Sequence, residues 1–192
     1  MIRPLRVVSL DLSLTATGIA VTHDQAGEQR LSCRTVTPRR YPSATAIDHR
    51  RLHKTFEALA ATVVCKPDLV VVEWLPQFNG HGDVSLRLAE LHGALKHWMW
   101  ARGLTYVDVN PTHLQTYATG KGKATKDQVR EAVTARYGRL LHIGSYDEAD
   151  AVTLLAMALD HYGQSLAPVT PHQGAAVGKV KWPELDLAAV TS

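Results

Sequence analysis

Two short apolar runs in this chain each lead into a carboxylate, and this feature constrains the fold more than any other. The first run covers residues 5–12 and contains Asp11, and the second covers residues 68–73 and ends at Glu73. Residues 69–72, directly before Glu73, are all apolar, which is typical of a strand buried on both faces of a sheet. If the two strands are neighbours, both carboxylates lie at one end of that sheet.

The order of the other elements predicts an α/β fold. A turn-forming segment ending at Gly18 predicts a hairpin, and residues 30–36 predict a third strand. Apolar residues then recur at helical spacing in several segments. The predicted strands are residues 5–12, 19–22, 30–36, 68–73 and 105–109, and the predicted helices are residues 43–64, 84–98, 111–117, 125–137 and 147–162. This order predicts a mixed sheet, three antiparallel strands followed by parallel strands, with helices on both faces.

The 192 residues suit a single domain. Regular spacing of apolar residues ends near Gly163, and the following residues are rich in Pro, Gly and Ala. We therefore expect one domain over residues 1–163 and a C-terminal tail over residues 164–192 that is flexible or docks on a partner.

Two further carboxylates, Asp147 and Asp150, lie three residues apart at the start of the last predicted helix. Residues at this spacing share one face of a helix, so both can point at Asp11 and Glu73. Four clustered carboxylates repel one another unless a cation lies between them, and oxygen ligands alone favour Mg²⁺ or Mn²⁺. The sequence leaves open that Asp147 only caps its helix and that Asp11 only belongs to a turn.

Basic residues concentrate in two stretches, although the net charge is only +3. The first stretch includes Arg39, Arg40, Arg50 and Arg51, and the second includes Lys121, Lys123 and Lys126. No Lys or Arg occurs between residues 140 and 178, where the acidic pair lies. The distribution fits a metal-dependent enzyme acting on a polyanion, and equally the solvated faces of ordinary helices.

Several classes of protein are excluded by the composition. The longest uncharged apolar run, residues 151–159, is about half the length of a membrane-spanning helix, so no membrane association is expected. Asp11 interrupts the first apolar run too early for a signal peptide, and we expect a cytoplasmic protein. Cys33 and Cys65 lie far apart without further cysteines, which favours two core thiols over a disulfide scaffold or zinc site.

Four segments of the chain resemble the RuvC-type Holliday-junction resolvases. Residues 7–18 resemble their opening strand and turn, residues 71–73 their second acidic strand end, and residues 120–129 their basic loop leading into a helix. Residues 147–151 are similar to their terminal acidic helix start. The resemblance extends from about Leu5 to Tyr162 and keeps the same order.

This resemblance implies an RNase H-like fold and a homodimer that cuts four-way DNA junctions with a divalent metal. It implies that Asp11, Glu73, Asp147 and Asp150 form the metal-binding catalytic set. Lys126 falls where the family has a lysine near the scissile phosphate, although an exposed cation in the first turn of a helix is an equal alternative.

The chain departs from the family at two places. Gln115 occupies a position where the family often has a basic residue, so we expect Lys121 or Lys123 to share in phosphate binding. The family places an aromatic residue after its second acidic strand end. Phe78 is the candidate here, either as a wedge between bases or as a loop residue covering the core, because Trp74 directly follows Glu73.

The leading hypothesis is therefore a Mg²⁺- or Mn²⁺-dependent endonuclease for branched DNA, with the four arginines of the first basic stretch following the DNA backbone. One rival is a nucleotide-binding protein of the actin or sugar-kinase type, because residues 11–18 also resemble the phosphate loop of that fold. A second rival is a catalytically silent relative that only binds branched DNA.

Overall fold

A five-stranded sheet forms the centre of the computed structural model, which describes residues 3–25, 28–37, 49–63, 66–75 and 83–187. The strands are β1 (Val7–Asp11), β2 (Thr17–Gln25), β3 (Glu28–Val36), β4 (Leu69–Glu73) and β5 (Tyr106–Val109). They lie in the order β3-β2-β1-β4-β5. The first three strands are antiparallel, whereas β4 runs parallel to both β1 and β5. The predicted mixed sheet is confirmed.

Six helices surround the sheet in the described part of the chain. They are α1 (His49–Val63), α2 (Asp83–Trp100), α3 (Pro111–Thr119), α4 (Lys126–Tyr137), α5 (Tyr146–His161) and α6 (Pro171–Val177). The first five match predicted helices, although residues 43–48 of the first prediction lie outside the described chain, and α6 was not predicted. Among the described helices, none has the length and apolar character needed to cross a bilayer.

Side chains alternate between the two faces of the central strands, as the period of two in a strand requires. On one face Val8, Leu10 and Val72 pack against Leu59 of α1 and Leu95 of α2. On the other face Val7, Val71 and Ala20 pack against the group of α3, α4, α5 and α6. The helices therefore cover both faces of the sheet, and each face has its own core.

Helix α5 lies directly on β1 and β2 because small residues separate their backbones. The hydroxyl of Ser9 donates hydrogen bonds to the carbonyl oxygens of Ala151, at 2.7 Å, and Ala20, at 3.2 Å. A Cβ placed on Gly18 would lie only 1.9 Å from the carbonyl oxygen of Asp147. Only glycine therefore allows the first turn of α5 to reach the end of the hairpin.

Residues 164–187 pack on the domain, where the sequence led us to expect a tail that is flexible or docks on a partner. Gln173 and Ala176 of α6 are buried, and Trp182 stacks on His161 with ring centroids 5.1 Å apart. The indole N–H of Trp182 also donates to the carbonyl of Val177 at 3.0 Å. The apolar residues of this segment are irregularly spaced, so they produce no periodic signal although they fill gaps beside α3 and α5. Residues 188–192 lie outside the described chain.

Asp68 joins the start of β4 to the segment that leads into β1. Its carboxylate accepts hydrogen bonds from the guanidinium groups of Arg3, at 2.6 Å, and Arg6, at 2.9 Å, and from the backbone N–H of Arg6 at 2.8 Å. Burial works to raise the pKa of this carboxyl, but these hydrogen bonds outweigh burial and lower the pKa to about 2. The cluster therefore stabilises the amino-terminal end of strands β1 and β4, which is the end of the sheet opposite Asp11 and Glu73.

Replacing Asp68 by Ala is expected to lower the free energy of unfolding near pH 7 by about 1–2 kcal/mol. Because the pKa is lower in the folded state, this stabilisation is present above about pH 4 and is lost as the pH falls towards 2. Urea unfolding of the wild type and D68A across this pH range measures the difference. A difference in the free energy of unfolding that does not shrink towards pH 2 would contradict a stabilising role for the ionised Asp68. The control is E184A, at an exposed position.

Replacing Gly18 by Ala is expected to destabilise the fold by about 2 kcal/mol, because its Cβ would overlap the backbone of Asp147. Amide hydrogen exchange in the first turn of α5 should also become faster. The matched control is Gly174→Ala, where a Cβ meets nothing within 4 Å and no loss of stability is expected. Equal urea midpoints for G18A and G174A would show that the close approach is unimportant.

Candidate active site

The parallel pairing of β1 and β4 brings Asp11 and Glu73 side by side. Leu10 pairs with Val72, and the two carboxylates follow as the last residues of their strands. Asp11 is 7% exposed. The two carboxyl groups lie close enough for each to shift the pKa of the other.

The other two predicted carboxylates enter from the start of α5. Asp147 and Asp150 lie in or next to the first turn, and Ser145 is the N-cap, where its hydroxyl accepts from the N–H of Glu148 at 3.1 Å. Ser145 is held in turn by a 2.6 Å hydrogen bond with Thr35 of β3. Since Ser145 occupies the cap position, Asp147 is not the cap.

The carboxylates perturb one another strongly. The pKa of Asp11 is raised well above its usual range by burial first, and then by Glu73 and Asp147. Burial likewise raises the pKa of Glu73. The pKa of Asp150 rises to about 7 through burial and then through the charges of Asp11 and Asp147. All four predicted carboxylates therefore lie within electrostatic reach of one another.

Lys126, the first residue of α4, supplies positive charge to the same place. Its ammonium opposes the rise in the pKa of Asp11, Glu73 and Asp150. It also lines a cleft of about 110 Å³ with these three carboxylates and with Gln115, Leu114, Ala124 and Val129. Gln115 was singled out in the sequence because it departs from the family. The apolar walls were not predicted, because nothing in the sequence separates them from ordinary core residues.

The donors in this cleft suit a hard divalent cation. The charged ligands are carboxylates, and the lining contains neither Cys nor His, a set that favours Mg²⁺ or Mn²⁺. In the described part of the chain, no three Asp, Glu, His or Cys side chains form a group arranged to hold an ion as they stand.

Glu148 belongs to the acidic segment of the sequence but not to the cleft lining. Its carboxylate accepts hydrogen bonds from the backbone N–H of Gly144, at 2.7 Å, and from Thr35, at 3.2 Å. It also accepts a weak bond from the thiol of Cys33 at 3.8 Å. Glu148 therefore fixes the loop before α5 against β3, a role that no local sequence signal could have revealed.

Lys121 and Lys123 are the predicted DNA-binding residues whose side chains the structure describes. Both are exposed in the loop between α3 and α4, five and three residues before Lys126. Arg50 and Arg51 lie at the start of α1, but their side chains are outside the description. Arg39, Arg40 and Phe78 lie outside the described residues.

Comparison with known proteins identifies the family. A sequence model of the family "Crossover junction endodeoxyribonuclease RuvC" matches residues 7–161. A protein of that name from Burkholderia cenocepacia is 31% identical over 159 residues, which cover 82% of this chain and 83% of the relative. Another from Chromohalobacter salexigens is 35% identical over 92 residues, which cover 46% of this chain and 47% of the relative.

Solved structures show the same fold. The Thermus thermophilus RuvC structure superimposes with a TM-score of 0.62 at 20% identity, covering 83% of this chain and 98% of that one. A second structure of that RuvC, in complex with a Holliday junction substrate, gives a TM-score of 0.62 at 20% identity and covers 84% and 96% of the two chains. The matched segment contains all four carboxylates and Lys126. The resemblance seen in the sequence is therefore confirmed, and this chain belongs to the RuvC family of crossover junction endodeoxyribonucleases.

Proposed function

We propose that this chain hydrolyses phosphodiester bonds in four-way DNA junctions and that the carboxylate cleft is its active site. The family consists of crossover junction endodeoxyribonucleases, and a relative has been crystallised with a Holliday junction. The observation that carries the proposal is the meeting of one buried carboxylate, two partly buried carboxylates and one lysine in a single cleft. A cytoplasmic location suits an enzyme whose substrate is DNA.

The four carboxylates would hold Mg²⁺ or Mn²⁺. When bound, such a cation polarises the phosphate and supplies a nucleophilic water at neutral pH. The side chains of Asp11, Glu73 and Asp150 offer oxygen donors whose mutual repulsion is relieved by added positive charge. The charge of Asp147, in the first turn of α5, helps to raise the pKa of each of these three carboxyl groups.

The polar residues around the carboxylates would bind the substrate phosphate. Lys126 lines the cleft and would neutralise part of the phosphate charge, while the amide of Gln115 would donate a hydrogen bond. Lys121 and Lys123 would contact phosphates farther along the strand. The cleft is small beside ordinary ligand pockets of about 300–1,000 Å³, so it suits a phosphate group and not a whole nucleotide.

Selectivity for a four-way junction would then arise outside the cleft. Phe78 would insert between bases, and Arg39, Arg40, Arg50 and Arg51 would follow the DNA arms. One chain offers one cleft, so symmetrical cutting of two strands would require a homodimer. Two large apolar side chains on α2, Leu86 at 73% and Trp100 at 70% exposure, offer surface for that contact.

The rival functions receive less support. A nucleotide-binding protein of the actin or sugar-kinase type would need room for a nucleoside triphosphate, which the cleft does not provide. A silent DNA-binding relative would have no reason to keep four carboxylates together, one buried and three partly buried, against their own repulsion. A cleavage assay separates both rivals from the nuclease.

Replacing Asp11 by Asn is expected to reduce cleavage of a four-way junction by about 1,000-fold, because it removes a cation ligand. Junction binding should be unchanged or tighter, since a negative charge that repels phosphate is also lost. A gel assay comparing four-way junction, flap, fork and linear duplex, with and without Mg²⁺ or Mn²⁺, measures both quantities. The control is E131Q, which removes a charge from the exposed surface of α4. Unimpaired cleavage by D11N would contradict the proposal.

Millimolar Mg²⁺ or Mn²⁺ is expected to raise the melting temperature of the wild type, because binding to the folded state alone stabilises it. At a concentration 100 times the dissociation constant, the gain is about 2.7 kcal/mol. The double variant D11N/D150N should lose this response, yet it should be more stable than the wild type without added cation. An equal response of both proteins in calorimetry would place the cation elsewhere.

A further inference from the structure

Lys126 lines the cleft from the start of α4, and Asp147 lies within electrostatic reach of the cleft carboxylates at the start of α5. Each start is fixed by its own cap. Thr125 and Gln128 form reciprocal side-chain to backbone hydrogen bonds at the start of α4, and Ser145 caps α5. These caps fix each helix internally, but they do not fix one first turn relative to the other.

Apolar packing is sparse at the end of α4 that carries Lys126, where Ala124 is only partly buried against the core. The buried residues of this helix are Val129, Val133 and Tyr137, which join the core on the side of α5. The three residues before Val129, namely Lys126, Asp127 and Gln128, are all exposed. The position of the lysine is therefore not determined by core packing alone.

Tyr146 bridges the two helix starts. Its hydroxyl donates a hydrogen bond of 2.6 Å to Oδ1 of Asp127. The guanidinium of Arg130, one turn after Asp127, lies 4.9 Å from the centroid of the same ring. Both first turns are fully described, and no other side-chain hydrogen bond joins them.

We propose that Tyr146 is a positioning residue for the nuclease site, which holds Lys126 in register with Asp147 through its bond to Asp127. Tyr146 directly precedes Asp147, and Asp127 directly follows Lys126, so this one bond links the neighbours of the two site residues. The inference rests on the proposed function. It gives Tyr146 no part in binding DNA and none in the chemical step itself.

The position of the Tyr146–Asp127 hydrogen bond predicts how its loss would change the kinetics of cleavage. A small displacement of a charged group in an active site lowers the rate of the chemical step far more than it lowers substrate binding. Loss of the bond should therefore lower the single-turnover rate and leave the affinity for the junction unchanged. The Arg130 contact keeps the ring in place, so removal of the hydroxyl alone should not disturb the fold.

The test uses the full chain and a synthetic four-way junction with Mg²⁺. The variants are Y146F, which keeps the ring; D127A, which removes the acceptor; and D127N, which keeps an acceptor oxygen without the charge. We expect Y146F and D127A each to lower the single-turnover rate about tenfold, with the junction dissociation constant changed less than about twofold. D127N should restore the rate to near wild type, and the double variant Y146F/D127A should be no slower than either single variant.

Three results would overturn the inference. They are a wild-type rate for Y146F, a weaker junction affinity at an unchanged rate, and a D127N rate as low as that of D127A. The second result would make Tyr146 a DNA contact, and the third would attribute the effect to charge. Failure of the wild type to cleave any branched DNA would instead overturn the proposed function. Urea unfolding of each variant, with E131Q as the surface control, separates these outcomes from loss of fold.

Discussion

The candidate site depends on how closely the backbone of α5 approaches the strand pair β1–β2. Gly18 leaves no side chain between β2 and the carbonyl of Asp147, and Ser9 bonds directly to the carbonyl of Ala151. A larger side chain at either strand position would overlap the backbone of α5 and push the helix outward. The carboxylates of α5 would then lie farther from Asp11, and the cleft would lose its cluster of acidic groups.

The same type of residue behaves in opposite ways at the two ends of the sheet. Asp68 is bonded by two arginines, and its pKa is lowered to about 2. Asp11 and Asp150 are buried beside other carboxylates, and their pKa values are raised, that of Asp150 to about 7. The first arrangement stabilises the fold at neutral pH. The clustered carboxylates destabilise the fold unless positive charge is added. Such an arrangement is typical of a site selected for function and not for stability.

Much of the fold could be predicted from local sequence. Apolar runs and helical spacing predicted the five described strands and five of the six described helices. The spacing of three between Asp147 and Asp150 predicted that both face one place. The segment that forms α6 was missed because its apolar residues follow no period. The bond between Tyr146 and Asp127 was missed because it joins residues 19 apart that lie on different helices.

The sequence by itself determined the five strands, the first five helices and the carboxylates at their ends, because periodicity, caps and turns act over a few residues. Only the tertiary structure decided that β1 and β4 are neighbours, that α5 lies against Gly18, and that Ser145 and not Asp147 caps the helix. It also decided the direction of each pKa shift. These features depend on burial and on charges brought together from segments separated by tens to more than a hundred residues, which no local pattern specifies.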